Sequence, residues 1–203
     1  MPRLALLLAL LLTAGCTGSP DTRGPFPAGS DLVREAATSF ASVRSVHFAA
    51  GVNGVLPGFP LRQIEGDATL GDGGAATGTA DVQDGDGHTK FPFDVRDDQE
   101  PQYRVGAFLG PHGGLKRLLD GVTDARTEGR ENVDGAPALR VACRVPAAVA
   151  RGVLAQVDAD LNAKVWVSDG GGPRRFVRLW VQIPPPDNHL SPVMIELSLT
   201  KQA

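Results

Sequence analysis

The chain has 203 residues, 42% of them hydrophobic and 21% charged, so it is long enough to fold around its own core without disulfides. This composition excludes both a disordered chain and a multi-span membrane protein. Twenty basic against 23 acidic side chains give a net charge of −3, which excludes a nucleic-acid partner held through phosphate contacts. Glycine (25) and proline (16) are frequent and aromatic residues are few, which favours many turns around an aliphatic core.

The first 15 residues have the layout of a secretory signal peptide. Arg3 precedes an apolar run over residues 4–12 that is too short to span a bilayer, and three small residues stand before Cys16. A cysteine at this place resembles the acylated cysteine of bacterial lipoproteins, although Thr13 stands where that pattern usually has leucine. We expect Cys16 to carry the lipid anchor of a protein exported to the outer face of the cell membrane. The alternative is an ordinary secretion signal with a coincidental cysteine.

Residues 16–29 are rich in threonine, glycine, serine and proline and predict a flexible tether, which leaves a single folded domain over residues 30–203. Cys143 has no disulfide partner once Cys16 is lipidated. It stands in the alternating stretch 139–145, which favours a buried thiol that packs as a small apolar group over a reactive one.

Apolar residues at helical spacing between Leu32 and Val43 predict a first helix that begins at Ser30 or Asp31. Two-residue alternation then predicts strands at 46–52, 139–145, 163–167, 177–183 and 193–199, and less regular strands at 64–70, 75–82, 90–95, 102–107 and 125–133. Asp-Gly pairs predict tight turns at 72–73, 84–85, 134–135 and 169–170. Two more helices are expected at 115–122 and from Pro146 to Val157. Together these elements predict an α+β fold in which a curved antiparallel meander packs on a few helices.

The sequence contains no recognisable catalytic or metal-binding motif. Its acidic run at Asp81, Asp84 and Asp86 lacks the spacing of a calcium loop, and nucleotide-binding and nucleophile-elbow motifs are absent. No histidine pair has the helical spacing of metal ligands; the four histidines are His47, His88, His112 and His189. We therefore expect no cofactor, no metal and no enzyme activity.

Several collinear stretches resemble the LppX/LprAFG family of envelope lipoproteins from mycolic-acid-bearing actinobacteria. They are SVH at 45–47, VNGVLPGFPL at 52–61, GDAT at 66–69, ARTEGRENVDG at 125–135 and AKVWV at 163–167. The resemblance implies a half-barrel of antiparallel strands packed on helices, similar to the Lol lipoprotein carriers. It also implies a hydrophobic cavity for the acyl chains of a glycolipid or of triacylglycerol, and a membrane lipid exporter as a partner.

The chain departs from this family in two places, between Tyr103 and Leu115, where it is shorter, and at Ala203, where relatives usually continue. Both differences fall where the resemblance places the cavity mouth, so the size of the ligand is left open. Three functions are weighed: a lipid carrier, an accessory envelope lipoprotein with a packed core, and a hydrolase of envelope lipids. The hydrolase would need a buried serine or aspartate beside a histidine.

Strand alternation predicts which side chains face the helices, because residues i and i+2 point to the same side. Charged neighbours of opposite parity, Arg140, Arg144, Arg178 and Glu196, are expected on the other side. Periodicity alone does not distinguish a filled core from a lined cavity. The candidate cavity-lining residues are Val46, Phe48, Val52, Val141, Cys143, Val177, Leu179, Val181, Ile195 and Leu197.

Overall fold

The computed structural model describes residues 24–71, 74–85, 87–96, 105–185 and 191–203. The helices of this part are α1 (Gly29–Phe40), α2 (Val105–Leu109), α3 (Gly114–Gly121) and α4 (Ala147–Arg151). The strands are β1 (Ser45–Asn53), β2 (Leu61–Thr69), β3 (Ala75–Asp84), β4 (Gly87–Arg96), β5 (Thr123–Val133), β6 (Ala136–Val145), β7 (Leu161–Ser168), β8 (Phe176–Ile183) and β9 (Val193–Thr200).

All nine strands form one antiparallel sheet in the order β4-β3-β2-β1-β9-β8-β7-β6-β5. The prediction of a meander is right within each half, since β1–β4 and β5–β9 each pair in chain order. The halves are joined by β1 and β9, where Ala50 lies opposite Leu197. An open antiparallel sheet with few helices confirms the α+β fold.

The β5–β6 hairpin shows why an Asp-Gly pair predicts a tight turn. Asp134 and Gly135 have φ angles of 51° and 82°, and Val133 pairs with Ala136 across them. A two-residue turn with positive φ at both positions matches the twist of the flanking strands, and Asp-Gly accepts that conformation at low cost. The pair at 72–73 lies outside the described residues.

The helices pack on one side of the sheet. The apolar face of α1 lies against β5, β6, β7 and β8 and against α3. The Phe40 ring of α1 contacts the Phe176 ring of β8, with centroids 6.4 Å apart. We call the side that α1 covers the helix-facing side and the opposite one the outward side. Among the described residues, no helix has the length and apolar character needed to cross a bilayer.

Three predicted elements are corrected. Residues 105–107 belong to α2, not to a strand, because a helical turn closes there with the Gly110 N–H bonded to the Gly106 carbonyl at 3.1 Å. Helix α1 begins at Gly29, not at Ser30 or Asp31, and no side chain caps it. The backbone of Gly29 packs on Ala125 so closely that a Cβ would lie 2.8 Å from the Ala125 carbonyl carbon, so packing sets the start.

The helix that follows Pro146 is also shorter than predicted. It ends at Arg151 with Gly152 at its C-cap and does not continue to Val157. Glycine is a poor helix residue, and beyond it the Val157 N–H donates to the Leu154 carbonyl three residues back at 2.9 Å, which is the bond of a tight turn and not of an α-helix. Val157 is nevertheless buried. The apolar spacing therefore predicted its burial correctly, but not its backbone conformation.

Candidate functional site

The candidate residues of the central strands form two cross-strand rows on the helix-facing side. In the first row Val52 lies opposite Ile195, Ile195 opposite Val181, and the row continues through β7 to Cys143. In the second row Leu197 lies opposite Leu179, and the row continues through β7 to Val141 on β6. Val46 and Phe48 occupy the same side of β1. All ten candidates are buried except Val177 and Ile195, which are half-buried.

A β-bulge changes the alternation at the start of β8. Trp166 pairs with Arg178, but the next residue of β7, Val167, pairs with Phe176, so Val177 has no opposite residue. Phe176 is fully buried, whereas Val177 is half-buried. The aromatic side chain therefore fills the place that strict alternation assigns to Val177. Sequence reasoning missed Phe176 because a bulge leaves no reliable signature in a single sequence.

A pair of glycines brings two distant aromatic rings together on the helix-facing side. Across four strands, Phe48 pairs with Gly66, Gly66 with Gly78, and Gly78 with Phe93. The two rings have centroids only 6.4 Å apart, although three strand spacings in a flat sheet amount to about 14 Å. The sheet therefore curls here, and the rings approach each other above two residues that have no side chain.

The rows on either side of the glycines have alanine at three of their four positions on β2 and β3, and the fourth is Ile64. Val46 and Val95 flank Ala68 and Ala76, and Ala50 and Phe91 flank Ile64 and Ala80. Except for Ile64, which lies opposite Ala50, these central side chains are smaller than their neighbours on β1 and β4, and together they form a shallow apolar trough. We call it the apolar trough; it consists of Ile64, Gly66, Ala68, Ala76, Gly78 and Ala80.

Strand alternation in the sequence does not predict the trough or the contact of Phe93. A usable signal was present, since glycine in the interior of a strand often marks a close approach of another group. The irregular alternation of β2 and β3 has the same cause, because alanine and glycine give little hydrophobic contrast between the two sides.

The helix-facing side offers apolar surface and little chemistry. Among the described residues, none that is buried is polar or charged, and no group of three potential ligands could hold a metal ion. A general base or an activated hydroxyl would need a buried polar partner on this side. The arrangement is suited to contact with an apolar molecule.

Cys143 places a thiol on this side, and its surroundings suppress its reactivity. Burial raises the pKa of the Cys143 thiol from 9.0 to about 12, because an apolar environment disfavours the thiolate. This agrees with the interpretation of Cys143 as a packing residue.

Native protein is therefore expected to resist thiol-reactive reagents. At pH 8 the shift leaves on the order of a thousandfold less thiolate than an exposed cysteine would have, and burial also blocks access. A chromogenic disulfide reagent should react with Cys143 only after denaturant is added. Equal rates for native and unfolded protein would contradict the assigned burial.

The outward side carries the charges, as alternation predicts. Arg140 donates to Glu128 at 2.8 Å, the Arg178 guanidinium lies 3.3 Å from Glu196, and Arg144 is exposed on the same side. Burial tends to raise the pKa of Glu128, but hydrogen bonds from Lys164 and Arg140 outweigh this and hold it below its ordinary value. Glu128 thus stabilises the fold at neutral pH and loses that contribution as the pH falls through its lowered pKa.

A large cavity also lies on the outward side. It measures about 1180 Å³ and extends from β4 to β8. Its lining includes His47, whose Nδ1 lies 2.9 Å from Asp67 and whose Nε2 lies 3.3 Å from Glu65. The half-buried Trp180 lies at its border. This groove is rich in polar groups, so an acyl chain is better matched by the helix-facing side.

These features define a sheet-and-helix protein with one wholly apolar internal side. The chain belongs to the LppX_LprAFG lipoprotein family, whose model matches residues 28–203. The family resemblance in the sequence is thereby confirmed.

Named relatives agree with this assignment. The chain is 30% identical over 185 residues to the lipoarabinomannan carrier protein LprG of Mycolicibacterium smegmatis, covering 81% of this chain and 78% of that protein. LprG of Mycobacterium tuberculosis H37Rv is 30% identical over 186 residues, covering 82% and 78%.

The fold is also found in two crystal structures. LprF from Mycobacterium bovis superposes with a TM-score of 0.73 at 20% identity, over 88% of this chain and 94% of LprF. LppX from Mycobacterium tuberculosis gives 0.61 at 19% identity, over 85% and 93%.

Proposed function

We propose that this lipoprotein binds the acyl chains of a glycolipid or of triacylglycerol on the helix-facing side of its sheet and carries them across the cell envelope. The observation that carries the proposal is the apolar trough, closed by Phe48 and Phe93 and free of polar side chains. The relatives named as lipoarabinomannan carriers support a ligand with both a glycan and acyl chains. Anchoring at Cys16 and delivery to or from a membrane lipid exporter belong to the same proposal.

Binding of this kind needs neither a cofactor nor a covalent intermediate. Removing an acyl chain from water supplies about 0.8 kcal/mol per CH₂ group, which is enough to hold a long chain without a reactive residue. Transfer is then an equilibrium between the membrane and the protein. Rotation of the Phe48 and Phe93 rings away from each other would open the trough, since no side chain on Gly66 or Gly78 obstructs it.

Lipid extraction tests the proposal directly. The mature chain from position 16, carrying Cys16→Ser so that no anchor is attached, should be purified from an actinobacterial host. Native mass spectrometry should show an added mass that disappears on organic extraction, and the extract should contain acyl lipid. A bare polypeptide from several preparations would contradict a carrier.

A second candidate function is an accessory envelope lipoprotein with a packed core. The burial of the central strands favours it, since Val141, Val165 and Val167 have no exposed surface. Close packing leaves no room for a ligand there. The two functions therefore differ in whether space next to the central strands becomes available.

Val181→Trp tests whether a bound acyl chain extends from the apolar trough to the central strands or whether these strands are close-packed. If an acyl chain lies beside Val181, the indole takes part of its space, so we expect lipid content to fall while the free energy of unfolding stays nearly unchanged. In a close-packed core the same ring costs about 1–3 kcal/mol by overpacking. Chemical denaturation and lipid quantification on the same samples give both values.

Thr79→Trp is the matched control, because it adds the same ring to the outward side, where Thr79 borders the polar groove. It should change neither value. A stability loss in Val181→Trp with unchanged lipid content would assign Val181 to a packed core.

A further inference from the structure

The segment that precedes α1 is bound along strand β5. The Thr127 hydroxyl donates to the Pro27 carbonyl at 2.6 Å, and the Arg130 guanidinium donates to the Gly24 carbonyl at 3.4 Å. The same guanidinium lies 5.1 Å from the centre of the Phe26 ring, which is a cation–π contact. Gly24 therefore lies nearer than Pro27 to the end of the sheet that carries the β5–β6 turn.

We call this end of the sheet the tether end. Because all neighbouring strands are antiparallel, the β7–β8 turn, the end of β9 and the start of β1 lie there too. The segment before α1 thus brings the preceding chain to one defined end of the domain.

Three exposed basic side chains lie at the tether end, and we call them the basic cluster: Arg44 before β1, Arg175 before β8 and Lys201 after β9. The Arg175 guanidinium donates to the Gln202 main-chain oxygen at 3.0 Å, and the Arg44 N–H donates to the Ala203 main-chain oxygen at 2.6 Å. The cluster therefore surrounds one short segment. Among the described residues, none of its three side chains is paired with a carboxylate.

Most carboxylates near the cluster are engaged elsewhere. Asp169 lies 3.0 Å from the Arg130 guanidinium, and Asp134 lies 3.2 Å from that of Arg178. Asp67 is on β2 and faces the outward groove. The basic cluster therefore gives the tether end an excess of positive charge among the described residues, although the whole chain has a net charge of −3.

We propose that the tether end faces the membrane and that the basic cluster binds the anionic headgroups of its phospholipids. The inference rests on the proposed anchoring at Cys16. Eight residues, 16–23, separate that position from Gly24 and span at most about 28 Å when fully extended. The opposite end of the sheet lies a strand length further away, about 30 Å for nine residues, so the anchor holds the tether end nearer to the bilayer.

The apolar trough reaches the same end of the sheet. Its last row, Ala68 and Ala76 beside Val46, lies one residue from the ends of the three strands. A cavity of about 470 Å³ is lined by these residues and by Lys201, among others. Docking through the basic cluster therefore brings this end of the trough to the bilayer surface, where acyl chains are available.

Chemical footprinting of lysines tests the orientation. The mature chain is coupled through its Cys16 thiol to a maleimide phospholipid in vesicles, while the buried Cys143 stays unmodified. Acetic anhydride, a neutral reagent, then modifies exposed amines, and mass spectrometry follows each lysine. The Lys201 rate should be several-fold lower with equimolar phosphatidylcholine and phosphatidylglycerol than with phosphatidylcholine alone. Lys90, exposed on β4, is the internal control and should react equally with both vesicles.

Salt dependence shows whether charge causes the protection. Added salt should restore the Lys201 rate, because the Debye length falls from about 30 Å at 0.01 M to about 3 Å at 1 M. Equal Lys201 rates with the two kinds of vesicle would overturn the inference. Equal slowing of Lys201 and Lys90 would reflect general shielding at the vesicle surface and would overturn it as well.

Arg44→Gln tests the contribution of one member of the cluster. Arg44 supports the fold through its main chain, since its carbonyl accepts from the Leu70 N–H at 2.7 Å, so the substitution should leave the stability unchanged. The loss of one basic group near an anionic surface should weaken docking about fivefold and raise the Lys201 rate with the mixed vesicles. Arg117→Gln, at an exposed position on α3, is the matched control and should leave that rate unchanged. The same Lys201 rate in both variants would contradict a role for Arg44.

The maleimide coupling distinguishes this inference from the proposed function. Because attachment is imposed chemically, the Lys201 rate depends neither on native acylation nor on bound lipid. Protection of Lys201 in a protein that carries no native acyl group on Cys16 would support the basic cluster and contradict the anchor alone. An acylated, lipid-loaded protein whose Lys201 rate is insensitive to the charge of the vesicle would overturn the headgroup contact alone.

Discussion

Gly66→Ala is expected to destabilise the fold by about 3 kcal/mol, the upper end of the usual range for overpacking. A Cβ on Gly66 would lie 2.2 Å from the Thr77 carbonyl oxygen, and one on Gly78 would lie 2.1 Å from the Glu65 carbonyl oxygen. Both contacts are with backbone, which cannot rotate away, so β2 and β3 would have to separate. Denaturation in urea followed by far-ultraviolet circular dichroism measures the loss.

Gly51→Ala provides a control in the same sheet. Its Cβ would meet nothing closer than the Arg62 carbonyl oxygen at 3.9 Å, an ordinary contact. We expect its stability to equal or slightly exceed that of the parent, because alanine restricts the unfolded chain. If Gly66→Ala unfolded at the same urea concentration as Gly51→Ala, the close approach of β2 and β3 would be wrong.

The glycine pair also shows where sequence reasoning about this fold stops. Strands β7 and β9 were predictable because apolar and polar residues alternate along them, as a strand with one buried side requires. The joining of β1 to β9 was not, since nothing local to either strand specifies a partner about 145 residues away. The spacing of Val105 and Ala107 fits a strand as well as it fits a short helix. The sequence therefore predicts a strand at 102–107, part of which is helical in the structure.

The sequence predicted which side of the sheet the candidate residues face, but not the shape of the surface that they form. Alternation placed Leu179, Val181 and Leu197 on the helix-facing side, and the charges of Arg140 and Arg178 on the outward side. It could not locate the approach of Phe48 to Phe93, because that depends on curvature accumulated over four strands. The lining of a cavity by these residues stays a prediction.

Cys16→Ala is expected to move the protein completely from the membrane to the soluble fraction. Several acyl chains on Cys16 anchor a protein stably in the membrane, because each buried CH₂ group adds about 0.8 kcal/mol. The folded domain begins after the tether, so circular dichroism of the released protein should match that of the parent. Cell fractionation and metabolic labelling with a fatty-acid analogue measure attachment.

Cys143→Ala is the matched control, because it removes the chain's other cysteine and should leave labelling and membrane location unchanged. Label that persists in Cys16→Ala would show that Cys16 is not the acylated residue. Protein that loses the label but stays on the membrane would show that attachment does not depend on acylation.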